Sequence, residues 1–123
     1  MKENSPNFDV IIIGGGLAGL CNAIHLSKFG KSILLIEKNS YPKHKVCGEY
    51  ISNVKIGNFQ LSTTNNNLIS AKLPLGGFGI SRYKLDFILS EKAKENGVVI
   101  LQDVATNITF NDAVFNVETK END

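Results

Sequence analysis

Gly14-x-Gly16-x-x-Gly19 and Glu37 are the residues whose types and spacing point most directly to chemistry. Glycine at 14 allows a tight turn, glycine at 16 lets backbone approach a pyrophosphate, and glycine at 19 lets a helix pack close to a strand. A helix that opens at this turn offers unpaired N–H groups and a partial positive charge to phosphates. Leu17 and Ala18 lie in its first turn and join the three glycines as candidate binding positions. Glu37 follows Gly19 by 18 residues. Its carboxylate can accept hydrogen bonds from an adenosine ribose and would repel a 2′-phosphate. With Lys38 beside it, the set describes a site for a dinucleotide with an unmodified adenosine, FAD or NAD. The competing reading is a tight strand–helix turn with no ligand and a solvated Glu37.

That chemistry needs a strand before the glycines, a helix after them and a second strand ending at the acid. Phe8 to Ile13 is a β-branched run without alternation, as in a strand buried on both faces. Leu17 to Phe29 has helical spacing, with Leu17, Leu20, Cys21, Ile24 and Lys28 along one stripe and Gly30 beyond its end. Ser32 to Ile36 is a second buried strand. Two such strands joined by a helix imply parallel pairing. Farther on, Val54 to Ser62 and Leu68 to Leu73 read as a hairpin around Thr-Thr-Asn-Asn-Asn, with asparagines suited to positive φ. Pro74 to Gly79 reads as a second glycine-rich loop. Tyr83 to Asn96 is an amphipathic helix, with Leu85, Ile88, Leu89 and Ala93 inside and Gly97 as its cap. Val98 to Leu101 is a third buried strand, and Val104 to Thr119 a strand–turn–strand around Asn111-Asp112. The fold class is α/β: a Rossmann-type parallel sheet with a β-hairpin insertion and a C-terminal β-ribbon.

Composition narrows the function. The chain has 123 residues, 42% hydrophobic and 20% charged, the make-up of one ordinary globular domain. A net charge of +1 offers no field for nucleic acid or an anionic membrane. Of 13 basic residues only Arg82 is an arginine, so bidentate recognition of phosphate has one possible source. Cys21 and Cys47 are too few for a disulfide scaffold and lack zinc spacing, so no metal is expected. No stretch has the roughly 20 apolar residues of a membrane span, and no signal peptide is visible. The expected setting is cytoplasmic.

Residues 9 to 38 (DVIIIGGGLAGLCNAIHLSKFGKSILLIEK) resemble the FAD-binding N-terminus of a flavoprotein, with the triple glycine, Ala18 and Ala23 favouring FAD over NAD. Tyr41 to Ser52 (YPKHKVCGEYIS) is similar to a loop of the geranylgeranyl reductase-like flavoproteins, relatives of the p-hydroxybenzoate hydroxylase group. Ser81-Arg82-x-x-Leu85-Asp86 resembles that group's next landmark. The resemblance implies that Cys47 and Gly48 run beside the flavin, that Arg82 contacts the phosphate side, and that Val104 lies against the adenine, mostly through backbone. It also implies a reductase or monooxygenase, transferring hydride or oxygen through FAD reduced by NAD(P)H, on a small-molecule or lipid-like substrate. The group's later Gly-Asp segment has no counterpart, and Ser52-Asn53 passes almost directly into the hairpin. The chain therefore reads as a single FAD-binding domain over 1–123, an N-terminal portion shortened internally. Its parts are a nucleotide motif at 8–37, a hairpin at 54–73 and a helix, strand and ribbon at 83–119. Exposed strand edges would allow self-association.

Other residues read more plainly. Cys47 could be a redox thiol with His44 and lysines nearby, but reads better as a small residue shaping its loop. Lys43 and Lys45 read as a solvated loop, Cys21 as helix packing, and His25 as core edge or surface. No Ser-His-Asp arrangement or paired catalytic carboxylates can be made out, and no catalytic acid or base is named. Two alternatives stay open: a catalytically incomplete nucleotide-binding module and an NAD-dependent dehydrogenase.

Overall fold

A computed structural model describes residues 5–45, 55–65, 67–78 and 80–121. The elements are β1 (Val10–Ile13), α1 (Leu17–Ser27), β2 (Ile33–Ile36), β3 (Lys55–Ser62), β4 (Leu68–Phe78), α2 (Arg82–Glu95), β5 (Val99–Leu101), β6 (Ala105–Asn111) and β7 (Val114–Thr119). They fall into two compact units, one of Met1–Lys43 with Asp86–Asp123 and the other of His44–Leu85.

The first unit is built on a parallel sheet in the order β1-β2-β5. Val10 to Ile13 pair with Ile33 to Ile36, and Leu34 to Ile36 with Val99 to Leu101. Alternation along each strand sends Val10, Ile12, Ile33, Leu35 and Ile100 into one core. There they meet Leu20 and Ala23 of α1, Leu89 and Ala93 of α2, and Val98. The sheet is thus covered on the face that both helices share. Only β2, the central strand, is buried along most of its length; Ile13 and Val99 on the flanking strands are each 49% exposed. The expectation of three strands buried on both faces therefore holds for β2 alone. Apolar runs report hydrophobicity, not position in the sheet, and an outer strand in a sheet with one open face keeps solvent contact.

Both helices are packed differently from their sequence stripes. In α1 the buried positions are Leu20 and Ala23, and Cys21 is exposed because it lies a step of 100° round the helix from Leu20. In α2 the buried positions are Asp86, Ser90 and Ala93, while Ile88 is 46% exposed. Ser90 tolerates burial by donating its hydroxyl to the Phe87 carbonyl at 2.7 Å. α2 ends in a Schellman-type turn: Gly97 has φ +82°, and Val98 N–H donates to Ala93 O at 3.1 Å.

The C-terminal ribbon β6–β7 turns at Asp112-Ala113, both with positive φ (53° and 62°), rather than at Asn111-Asp112. A two-residue hairpin loop needs left-handed backbone at both central residues, and pairing of Asn111 with Val114 fixes which two those are. Asp103 anchors the base of the ribbon, accepting from Val104 N–H at 2.7 Å and Glu121 N–H at 3.3 Å.

The second unit, His44–Leu85, contains the antiparallel hairpin β3–β4 and the start of α2. Pro74 to Phe78, expected as a loop, is the distal part of β4, and Ile56 pairs with Gly77. The register shifts between Ile56 and Asn58, which is where a proline and paired glycines are tolerated in a strand. The turn closes through Thr63 N–H to Asn67 O at 2.9 Å, and none of its described residues has positive φ.

Candidate functional site

The site forms where β1 and β2 end side by side. Gly14 N–H donates to Ile36 O at 2.8 Å, which carries the pairing of the two strands one step past Ile13 and sets the glycine turn against Glu37. Gly14 then turns with φ +104°, and nothing lies within reach of a side chain there, so conformation alone requires glycine. At Gly15 the requirement is space: a Cβ would strike the Tyr41 hydroxyl and come within 2.9 Å of Glu37 Cβ and 3.0 Å of Leu35 Cδ2. At Gly19 a Cβ would strike the Gly14 carbonyl oxygen, so α1 can approach the turn this closely only without a side chain.

Gly16 is the extended N-cap of α1, with no side-chain cap, and the first turn holds no acidic residue. The first intrahelical bond runs from Leu20 N–H to Gly16 O at 2.9 Å. The N–H groups of Leu17, Ala18 and Gly19 therefore lack acceptors within the helix, and no carboxylate side chain of that turn stands in for a phosphate. These features fit a pyrophosphate at the helix N-terminus.

Glu37 is buried, with its backbone held at the end of the central strand. Its N–H donates to Leu101 O at 3.0 Å and its carbonyl accepts from Asp103 N–H at 3.1 Å. One carboxylate oxygen, Oε2, accepts from Gly15 N–H at 2.7 Å. The other, Oε1, accepts from Asn39 N–H at 3.0 Å and Asn39 Nδ2 at 3.1 Å, and pairs with Lys43 Nζ at 2.7 Å. Burial alone would favour the neutral acid, but Lys43 and the N–H groups of Asn39 and Gly15 outweigh it and hold the carboxyl below its usual range. Glu37 is not the solvated residue that the ligand-free reading requires.

Tyr41 completes the cluster by donating its hydroxyl to the Gly15 carbonyl oxygen. Burial, with the charges of Glu37 and Asp86, raises its pKa well above the ordinary value, so it stays a neutral donor. Lys43 Nζ lies 5.3 Å from the centre of the Tyr41 ring. Lys43, expected in a solvated loop, is instead partly buried and paired with the buried Glu37. Gly15, Asn39 and Tyr41 were not singled out in the sequence. The one signal for them was a third glycine inside a fingerprint that needs only two at that point.

The remaining candidate residues are placed as follows. Lys38 is exposed beside Glu37. Val104 follows β5, with its N–H given to Asp103, its carbonyl accepting from Lys120 N–H at 2.9 Å and its side chain exposed. Arg82 opens α2 and belongs to the other unit. There His44 stacks on Tyr83 with ring centres 4.5 Å apart. Cys47 and Gly48 lie outside the described residues. Among the described residues no cluster could hold a metal ion, and no helix is long and apolar enough to cross a membrane.

A parallel β-α-β unit with a glycine turn at the helix N-terminus and a buried acid at the end of the second strand is the Rossmann-type dinucleotide-binding arrangement. Residues 9–46 match the family described as FAD dependent oxidoreductase. An uncharacterized protein of Methanosarcina barkeri is 27% identical over 91% of this chain and 33% of its own length. Halogenase PltM, solved in complex with phloroglucinol and FAD, superposes with a TM-score of 0.76 at 18% identity, over 92% of this chain and 31% of its own. A geranylgeranyl bacteriochlorophyll reductase-like protein from Thermoplasma acidophilum superposes with a TM-score of 0.71 at 20% identity, over 85% and 32%. The chain has the fold of the FAD-binding portion of flavin-dependent oxidoreductases and spans about a third of the length of each of these three relatives.

Proposed function

We propose that this chain holds the ADP half of FAD across Gly14–Gly19 and Glu37, as the FAD-binding part of a reductase or monooxygenase. The observation that carries the reading is the buried Glu37 carboxylate, bonded to Gly15 N–H beside an uncapped helix N-terminus. The N–H groups of Leu17, Ala18 and Gly19 would receive the pyrophosphate, and Glu37 a ribose hydroxyl. Lys38 supplies positive charge beside the acid, and Val104 would lie against the adenine, mostly through its backbone. Arg82, Cys47 and Gly48 are assigned to the phosphate side and the flavin loop by family resemblance. These residues would hold FAD, which when bound would supply hydride-transfer or oxygen-activation chemistry with NAD(P)H as the external reductant. The whole protein would act on a small-molecule or lipid-like substrate in the cytoplasm, and exposed strand edges would support self-association.

Titration calorimetry of ADP against the parent and Glu37→Ala tests the reading. Loss of a charged hydrogen bond should weaken ADP by about 1.5–3 kcal/mol. Equal affinity in the two proteins would refute the ribose assignment.

A further inference from the structure

Glu37 is already fully engaged on one side. A carboxylate oxygen has two lone-pair directions. Oε1 receives three donors: Asn39 N–H, Asn39 Nδ2 and Lys43 Nζ. Among the described residues Oε2 receives one, Gly15 N–H, which leaves one direction open. An adenosine ribose brings two adjacent hydroxyls, so a single open direction cannot serve both.

We propose that Lys43 is an internal competitor for the adenosine ribose: it occupies the Glu37 carboxylate, and the nucleotide is held tightly only to the extent that it displaces this ammonium group. The inference rests on the reading of Glu37 as the ribose acceptor. The Asn39 N–H is fixed by backbone, and the Asn39 amide makes the longest of the three contacts. Lys43 makes the shortest, carries a full charge, and lies with Glu37 largely out of water, their side chains 15% and 7% exposed. An ion pair so placed is screened little by solvent. The Lys43 ammonium also lies over the Tyr41 ring, 5.3 Å from its centre, which keeps it close to the acid. Lys43 thereby sets affinity without needing to touch the bound nucleotide.

The test uses the full 123-residue chain and neutral adenosine, because a phosphate-bearing probe would also feel the lost lysine charge. Lys43→Met keeps an unbranched apolar side chain of similar length and removes the ammonium. It should bind adenosine about tenfold more tightly than the parent, a difference of 1.4 kcal/mol. The gain should vanish for 2′,3′-dideoxyadenosine. Lys43→Arg, whose guanidinium grips a carboxylate with two parallel N–H groups, should bind adenosine more weakly than the parent. Adenosine bound no more tightly by a folded Lys43→Met, while Glu37→Ala weakens it, would overturn the competitor role and leave the ribose site standing. No effect of Glu37→Ala would overturn the site itself. Should Lys43→Met fail to fold by circular dichroism, the arginine variant decides: weaker binding supports the competitor, and equal or tighter binding overturns it.

Discussion

Gly15→Ala isolates the contact that ties the glycine turn to the rest of the site. The backbone at Gly15 is not left-handed, so alanine meets no conformational penalty there and the whole effect is spatial. Its Cβ would meet three atoms. The Tyr41 hydroxyl can swing away, but only by giving up its bond to the Gly15 carbonyl, worth about 1 kcal/mol. Glu37 Cβ at 2.9 Å and Leu35 Cδ2 at 3.0 Å belong to buried side chains with no room to retreat, and overpacking of this kind costs about 1–3 kcal/mol. Gly15→Ala should therefore lose about 2–4 kcal/mol, a sum of the two contributions. Urea denaturation followed by circular dichroism reads this as a lower midpoint at unchanged slope. Tyr41→Phe provides the internal check. Alone it should cost about 1 kcal/mol. Combined with Gly15→Ala it should cost less than the sum of the two, because the hydroxyl that collides is already gone, with a coupling above about 0.5 kcal/mol. Strict additivity, or a Gly15→Ala variant as stable as the parent, would refute the packing argument.

Three further outcomes follow from the same structure. The Glu37 carboxyl is held below its usual value in the folded chain, so its contribution to stability is complete above about pH 4.3 and is lost as pH falls through the lower folded value. The stability gap between the parent and Glu37→Gln should accordingly shrink on acidification, and a gap that widens would contradict it. Ala113 sits at φ 62° in the β6–β7 turn, so Ala113→Gly should raise stability by about 0.5–1 kcal/mol, read as a higher Tm, with a drop in Tm counting against the turn assignment. In a Cys47→Ala background, Cys21 should react with a thiol reagent in the native protein, and protection until denaturant is added would place it in the core.

What could be read in the sequence was what neighbouring residues decide among themselves. Val10 to Ile13, the glycines and Leu17 to Ser27 each carry their signal within one short window, and the βα unit followed from them. The acid at 37 was found because fingerprint spacing is itself local. What could not be read depended on distant partners. The need for glycine at 15 comes from Tyr41, 26 residues on, and the partial burial of Lys43 from an ion pair with Glu37. The exposure of Cys21 and Ile88 depends on which helical stripe the sheet selects. Pro74 and its glycines looked like loop because their composition is that of loop; pairing with β3 made them strand.

The order β1-β2-β5 also governs how the site comes into being. β1, α1 and β2 are contiguous, and each hairpin closes on itself, so these pieces need only short-range encounters. β5 reaches β2 only after the chain from Ile36 to Val99 has looped back, and closing so long a loop costs entropy before any contact rewards it. Glu37 takes its backbone bonds from Leu101 and Asp103 at the far end of that loop. The acid that would read the nucleotide is thus secured by the pairing that closes the longest loop of this sheet, whereas the glycine turn rests on contacts between neighbours in sequence.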